Sequence, residues 1–164
     1  MGKAWIFGDD VDTDMLAPGK YMKFGIDEIA KHCLESARPT FAASVANGDV
    51  VVGGRNFGLG SSREQAAAAL RHLGVVAVVA TSFAGLFYRN ALNLGLPVMA
   101  CPEASRIREG DEVRVDAAAG RVENLSTGET LACEPIPQHL LEMVRDGGLL
   151  PHLEKRLGRA GKAR

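Results

Sequence analysis

The stretch from Val50 to Leu73 limits the fold more than any other part of the chain. An apolar run, Val50-Val51-Val52, leads into Gly53-Gly54-Arg55-Asn56-Phe57-Gly58-Leu59-Gly60-Ser61-Ser62-Arg63-Glu64, and an alanine-rich run with helical spacing follows from Gln65 to Leu73. Strand, glycine turn and helix is the order this predicts. The glycines let the backbone bend and let another molecule approach closely. Ser61 stands three residues before Glu64 and Ser62 three before Gln65, so either fits a capping box at the start of the helix. The other hydroxyl is then free to point outward beside Arg63. Free N–H groups and the positive end of the helix favour an anion there, and a guanidinium fork suits a carboxylate. A well-capped helix with no further role is the plain alternative. The string is not a P-loop, because no lysine stands in it. It is not a dinucleotide fingerprint either, because Arg63 occupies the place of the third glycine.

Further along, Val75 to Ala80 and Leu96 to Ala100 are continuous apolar runs, as expected of strands covered on both faces. Between them Phe83 to Leu94 reads as a helix, with Ser82 as its cap and Gly95 as its stop. Strand–helix–strand repeats predict an α/β protein with a mostly parallel sheet and flanking helices. Lys3 to Phe7 supplies a first strand, and Asp27 to Leu34 and Phe41 to Ala46 supply short helices. From Glu109 the pattern becomes alternating, over Asp111–Asp116, Gly120–Leu125 and Thr130–Cys133, which predicts a small antiparallel meander. Gln138 to Arg145 is a helix, Leu149 to Leu157 a further turn or helix, and the basic tail 158–164 is expected to fray. The length suits one domain over residues 1–164.

Two loops carry polar groups in unusual density. Gly8 to Asp14 holds Asp9, Asp10, Asp12 and Asp14 but lacks the central glycine and closing glutamate of an EF-hand. It is either a solvated turn with local hydrogen bonds or a loop in which one aspartate orients a histidine or arginine across an interface. Lys20-Tyr21-Met22-Lys23-Phe24-Gly25 alternates basic and large apolar groups. It is either a hairpin edge or a recognition loop that closes on a ligand.

Net charge is −1, so nothing favours nucleic acid or an acidic membrane as partner. The first residues show no signal-peptide pattern, and a cytoplasmic location is the expectation. Cys33, Cys101 and Cys133 lie far apart with no C-x-x-C spacing, so no metal site is expected within the chain. They read as small buried thiols. His32 and His72 read as structural histidines.

Four groups of residues, running in order over nearly the whole chain, resemble the isopropylmalate dehydratase small subunits of the aconitase family. They are Asp12-Thr13-Asp14 with Pro18-Gly19-Lys20-Tyr21, then Gly58-Leu59-Gly60-Ser61-Ser62-Arg63-Glu64, which is the most specific. Ser82-Phe83-Ala84 with Phe87-Tyr88-Arg89-Asn90 and Asn93-Leu94-Gly95 is the third, and Gly147-Gly148-Leu149-Leu150 the fourth. The resemblance implies the swivelling β/β/α domain of aconitase-like enzymes and a separate large subunit that carries a [4Fe–4S] cluster. It implies a hydro-lyase that interconverts 2- and 3-isopropylmalate by loss and return of water, a step in leucine biosynthesis. In such enzymes an open iron site acts as Lewis acid while a protein base takes a carbon-bound proton. By motif, Ser61 matches the catalytic base, Ser62 and Arg63 the contacts to a substrate carboxylate, and Asp14 an acid that partners a histidine of the cluster-bearing part. Tyr21, Met22, Lys23 and Phe24 match the specificity loop. There the pattern departs: aconitase has an arginine just after the position of Phe24, where this chain has Gly25, and one group of homoaconitases has an arginine at the position of Lys23. Isopropylmalate enzymes of this type tend to be apolar at that position. Homoaconitase, or a dehydratase of another alkyl-malate, is therefore the alternative reading. A non-catalytic binding or scaffold module is the reading from a different class.

Overall fold

The computed structural model of the chain describes residues 1–162, with side chains through Gly158. The tail expected to fray falls partly on residues 163–164, which lie outside the described residues. Seven strands form one sheet in the order β4-β3-β2-β1-β5-β6-β7. The strands are β1 (Gly2–Ile6), β2 (Val50–Gly53), β3 (Ala77–Ala80), β4 (Val98–Ala100), β5 (Glu112–Asp116), β6 (Arg121–Asn124) and β7 (Thr130–Ala132). β1 to β4 pair in parallel, with Trp5 opposite Val51 and Val51 opposite Val78. β5 joins the other edge of β1 antiparallel and continues through β6 to β7 as the expected meander.

Among the described residues the helices flanking the sheet are α1 (Thr13–Leu16), α2 (Ile26–Lys31), α3 (Phe41–Ser44), α4 (Glu64–His72), α5 (Gly85–Asn93), α6 (Gln138–Arg145) and α7 (Leu149–Lys162). A first core packs these helices on the sheet, through Leu16, Ile29, Phe41, Val51, Ala66, Leu70, Val78, Phe87 and Leu92, all buried. Small side chains on the inner face of α4 let that helix lie close to α1, α2 and α5. A second core lies on the opposite face of the strands and is built from Val50, Val52, Val79, Val113, Val122 and Leu131.

A feature invisible to local pattern is the curl of the sheet, which brings its two edges together. Glu134 N donates to Ala100 O at 2.9 Å, so the chain just past β7 meets the end of β4. β4 and β7 run in opposite directions, so in the register set by that bond Cys101 stands across from Cys133. The Cys101 thiol also donates to Ala132 O at 3.6 Å. A hydrogen bond from Cys133 draws Cys101 down to about 7 and pushes Cys133 up, while burial pushes the isolated Cys33 up. Two of the three thiols are thus neighbours rather than separate.

Among the described residues Asp49 is the buried carboxylate. It accepts from Lys3 N at 3.0 Å, Trp5 Nε1 at 2.9 Å and Ala46 N at 2.8 Å, which ties β1 to the approach to β2. No helix among the described residues is long and apolar enough to cross a membrane.

Candidate active site

The carboxyl ends of β1 and β2 deliver two loops side by side, the usual place for a site in a parallel layer. Their contact is built from short polar bonds. Asp9 Oδ1 accepts from Arg55 N at 2.8 Å, Gly58 N donates to Val11 O at 2.7 Å, and Thr13 N donates to Leu59 O at 2.8 Å. Asp10 and Asn56, at φ of 57° and 58°, both adopt the left-handed conformation that Asp and Asn tolerate, and they bond each other at 3.2 Å. The aspartate-rich loop is therefore a frame for the glycine turn. Asp12 caps α1 through Met15 N at 2.8 Å, where the sequence reading had the loop run on through Asp14.

Beneath the turn lies an aromatic floor. Phe57 packs edge-on against Phe83 and Phe87, at centroid distances of 5.9 and 5.4 Å. These phenylalanines support the turn from below, while Arg89 is exposed. Ser82 does not cap α5, whose N-cap is Ala84. Its Oγ accepts from Asn56 N at 2.9 Å and so pins the turn from the neighbouring strand end.

The expected serine cap of α4 is also absent. Arg63 is the N-cap, without a side-chain hydrogen bond, because Arg63 N turns back to Ser61 O at 2.8 Å and delays the helix by a residue. Ser61 and Ser62 are both exposed, and neither hydroxyl has a protein partner among the described residues. Ahead of them the N–H groups of Glu64 and Gln65 carry no protein acceptor. The turn thus presents two unengaged hydroxyls at the positive end of a nine-residue helix.

Arg63 and Asp14, 49 residues apart, meet here. Arg63 Nη1 donates to Asp14 Oδ1 at 2.8 Å and to Ala17 O at 2.9 Å. The same Asp14 oxygen accepts from Gly19 N at 2.8 Å. One nitrogen of the guanidinium is engaged; the rest of the fork has no protein acceptor among the described residues. The Arg63 side chain, then the Gly19 N–H, hold the Asp14 carboxyl below its ordinary value of 3.8. A carboxyl lowered in this way contributes while ionised, and the contribution is lost as pH falls through the folded value. A carbon-13 NMR titration of Asp14 is expected to show its midpoint below 3.8, and Arg63→Gln is expected to raise it. A midpoint unmoved by Arg63→Gln would refute the pairing.

Through Gly19, Asp14 also anchors the second polar loop. Gly19–Tyr21 forms a 3₁₀ turn, closed by Tyr21 N to Pro18 O at 3.0 Å and Met22 N to Gly19 O at 3.2 Å. It is a turn that precedes α2, whose N-cap is Gly25, and not a hairpin edge. Tyr21 and Met22 are half-buried, while Lys23 and Phe24 are exposed, with the Lys23 ammonium 5.3 Å from the Phe24 ring centroid. The half-buried side of Tyr21 lies flat on His32, at a centroid distance of 3.6 Å and an interplanar angle of 8°. No local pattern signals that contact, because Tyr21 and His32 meet only once the chain reverses into α2. Asp14, Arg63 and the start of the Tyr21–Phe24 loop are thus brought together, and Ser61 and Ser62 stand two and one residues before Arg63 on an open face.

Residues 40–103 match the aconitase C-terminal domain family. The chain is 52% identical to the methanogen homoaconitase small subunit of Methanothermobacter thermautotrophicus, over 94% of this chain and 90% of that protein. It is 48% identical to the 3-isopropylmalate dehydratase small subunit of Moorella thermoacetica, over 95% of each. The crystal structure of a 3-isopropylmalate dehydratase from Methanocaldococcus jannaschii superposes with a TM-score of 0.94 at 40% identity, covering 99% of this chain and 98% of that one. Similarity of that extent, end to end and in three dimensions, means that the chain belongs to the aconitase-family small subunits, the group that includes those of 3-isopropylmalate dehydratase and methanogen homoaconitase.

Proposed function

We propose that this chain is the small subunit of a heteromeric hydro-lyase that interconverts 2- and 3-isopropylmalate in the cytoplasm, and that it works only with a large subunit. The observation that carries the reading is Ser61: an exposed, uncapped hydroxyl at a helix N-terminus beside Arg63, in a chain nearly half identical to such subunits along its full length.

The donor set here does not suit an iron–sulfur cluster. Such a cluster needs several converging thiolates. Cys33 is sealed among apolar side chains, and Cys101 adjoins only Cys133. The [4Fe–4S] cluster and its Lewis acidity are therefore assigned to the large subunit. What this chain lends is a base and a clamp. Ser61 takes a proton from the substrate carbon. The free N–H groups at the start of α4 and the Arg63 charge lower the cost of the alkoxide-like oxygen that this requires. Ser62 Oγ and the unengaged side of Arg63 receive a carboxylate, and Asp14 holds Arg63 in the plane of that contact. Asp14 keeps a second oxygen for a histidine of the large subunit. Met22 and Phe24 supply apolar surface for the branched alkyl group.

A second reading has its own observation. Lys23 is exposed and, among the described residues, its ammonium meets only the Phe24 ring, so it is available to a distal carboxylate such as that of a homologous tricarboxylate. The discriminating experiment reconstitutes the chain with its large subunit, rebuilds the cluster anaerobically, and compares kcat/KM on isopropylmalate with that on homocitrate and homoaconitate. Preference for isopropylmalate is expected. Preference for the tricarboxylates would replace the first reading with the second, and turnover of none would favour a scaffold.

A further inference from the structure

The imidazole of His32 is held from three sides. Its Nδ1 lies 2.7 Å from Glu35 Oε2 and its Nε2 lies 3.2 Å from Glu28 Oε1. A carboxylate on each ring nitrogen is satisfied in full only by the imidazolium, which has two N–H donors. His32 is also the C-cap of α2, where a positive charge is favourable. Glu35, then burial in the opposite sense, then Glu28 set the balance, and the proton is held more tightly than the ordinary 6.5. On the face of this ring lies Tyr21, at 3.6 Å and 8°. Lys20 Nζ approaches the same Tyr21 ring at 5.2 Å. The other charges nearby are spoken for: Lys31 pairs with Glu28 at 3.3 Å, and His72 of α4 faces Asp27 at 3.1 Å.

The loop from Lys20 to Gly25 has few other restraints. Its hydrogen bonds are internal or run to Pro18, Gly19 and, through Gly19 N, to Asp14, apart from Gly25 O, which accepts from Glu28 N and Ile29 N where α2 begins. Lys23, Phe24 and Gly25 are exposed. Past its 3₁₀ turn, the ring stack and the packing of Tyr21 and Met22 against the first core fix which way the loop faces.

We infer that His32 is a positioning residue for substrate recognition: clamped between Glu28 and Glu35, it is the platform that holds Tyr21, and through Tyr21 it sets where Met22, Lys23 and Phe24 meet the distal part of the substrate. The inference rests on the reading of Tyr21–Phe24 as the recognition loop. It makes a residue of α2, remote in sequence from Ser61 and Arg63, a determinant of KM. Because the platform is the doubly bonded cation, KM rises as pH climbs through the His32 midpoint, and the loop is firm below it.

The test uses the reconstituted two-subunit enzyme and the isolated chain. His32→Ala is expected to raise KM by about tenfold while kcat changes less than about twofold, the pattern of lost binding contacts rather than lost chemistry. His32→Phe, which restores a flat ring without the ion pairs, is expected to recover part of that loss and to remove the pH dependence of KM. In the isolated chain, His32→Ala is expected to speed hydrogen exchange at the Tyr21, Met22 and Phe24 amides and to leave α4 unchanged. Unchanged exchange at those amides, or equal changes across α4, overturns the platform. Faster loop exchange with KM unmoved, both for His32→Ala and for Lys23→Ala, overturns the recognition-loop reading but leaves the platform standing. Faster exchange with KM moved by Lys23→Ala alone overturns the positioning role of His32.

Discussion

Ser61→Ala is expected to lower kcat of the reconstituted enzyme by about a thousandfold, within the range lost when a positioned general base is removed, and to leave folding and subunit assembly intact. The two halves of that expectation come from the same geometry. The Ser61 hydroxyl is exposed and has no hydrogen-bond partner among the described residues. It caps nothing, since Arg63 holds the N-cap position of α4. Deleting such an oxygen should change stability by less than about 0.5 kcal/mol, as for other surface substitutions without a partner. Loss of turnover therefore cannot be blamed on the fold, which a thermal melt and a size measurement of the complex will check. Ser62→Ala, one residue on, is expected to act mainly on KM, because its assigned role is to hold a carboxylate in ground and transition states alike. If Ser61→Ala turns over at the normal rate, the base is another group and the proposed chemistry of this chain fails.

Local pattern was a good guide wherever the physics is local. The glycine turn between β2 and α4, the buried parallel strands, the alternating meander and α6 at Gln138–Arg145 were all legible, since apolar periodicity and turn residues act over a few positions. What could not be read were contacts that only the closed fold creates. Ser61 and Ser62 fit a capping box by spacing, yet Arg63 N folds back onto Ser61 O and leaves both hydroxyls out of it. Ser82 fits a cap as well, but the turn from the neighbouring strand claims its oxygen. Asp14 was singled out, but for a partner in another protein; its pairing with Arg63 depends on the parallel alignment of β1 and β2. The Cys101–Cys133 neighbourhood depends on a curl of the sheet summed over seven strands, and the Tyr21–His32 stack on a reversal of the chain into α2. Sequence spacing carries none of these distances.

Gly58→Ala is expected to be strongly destabilising, at about 2–5 kcal/mol, the sum of two known penalties. Gly58 has φ of +86°, where a side chain is strained by about 1–2 kcal/mol. A methyl group there would lie 2.2 Å from Phe87 Cβ and Cγ, a clash with a ring that is itself buried and locked against Phe57. Overpacking of this kind costs about 1–3 kcal/mol or more. Swinging the Phe87 ring aside does not relieve the contact, because Phe87 Cβ itself stands in the way. Relief must come from lifting the turn, which breaks the 2.7 Å bond from Gly58 N to Val11 O and displaces Ser61 three residues on. Urea unfolding is expected to show the loss as a lower midpoint, with activity reduced even at temperatures where the variant is folded. Gly85→Ala is the matched control. An added methyl meets nothing within 4 Å there, on an exposed helical residue, so that variant should be neutral or slightly stabilised. Phe87→Ala should be destabilising alone and fall somewhat short of additive with Gly58→Ala, because it removes the ring part of the clash but keeps the contact with Cβ and the backbone strain. Full additivity of the pair, or a harmless Gly58→Ala, would mean that the aromatic floor does not hold the turn in place.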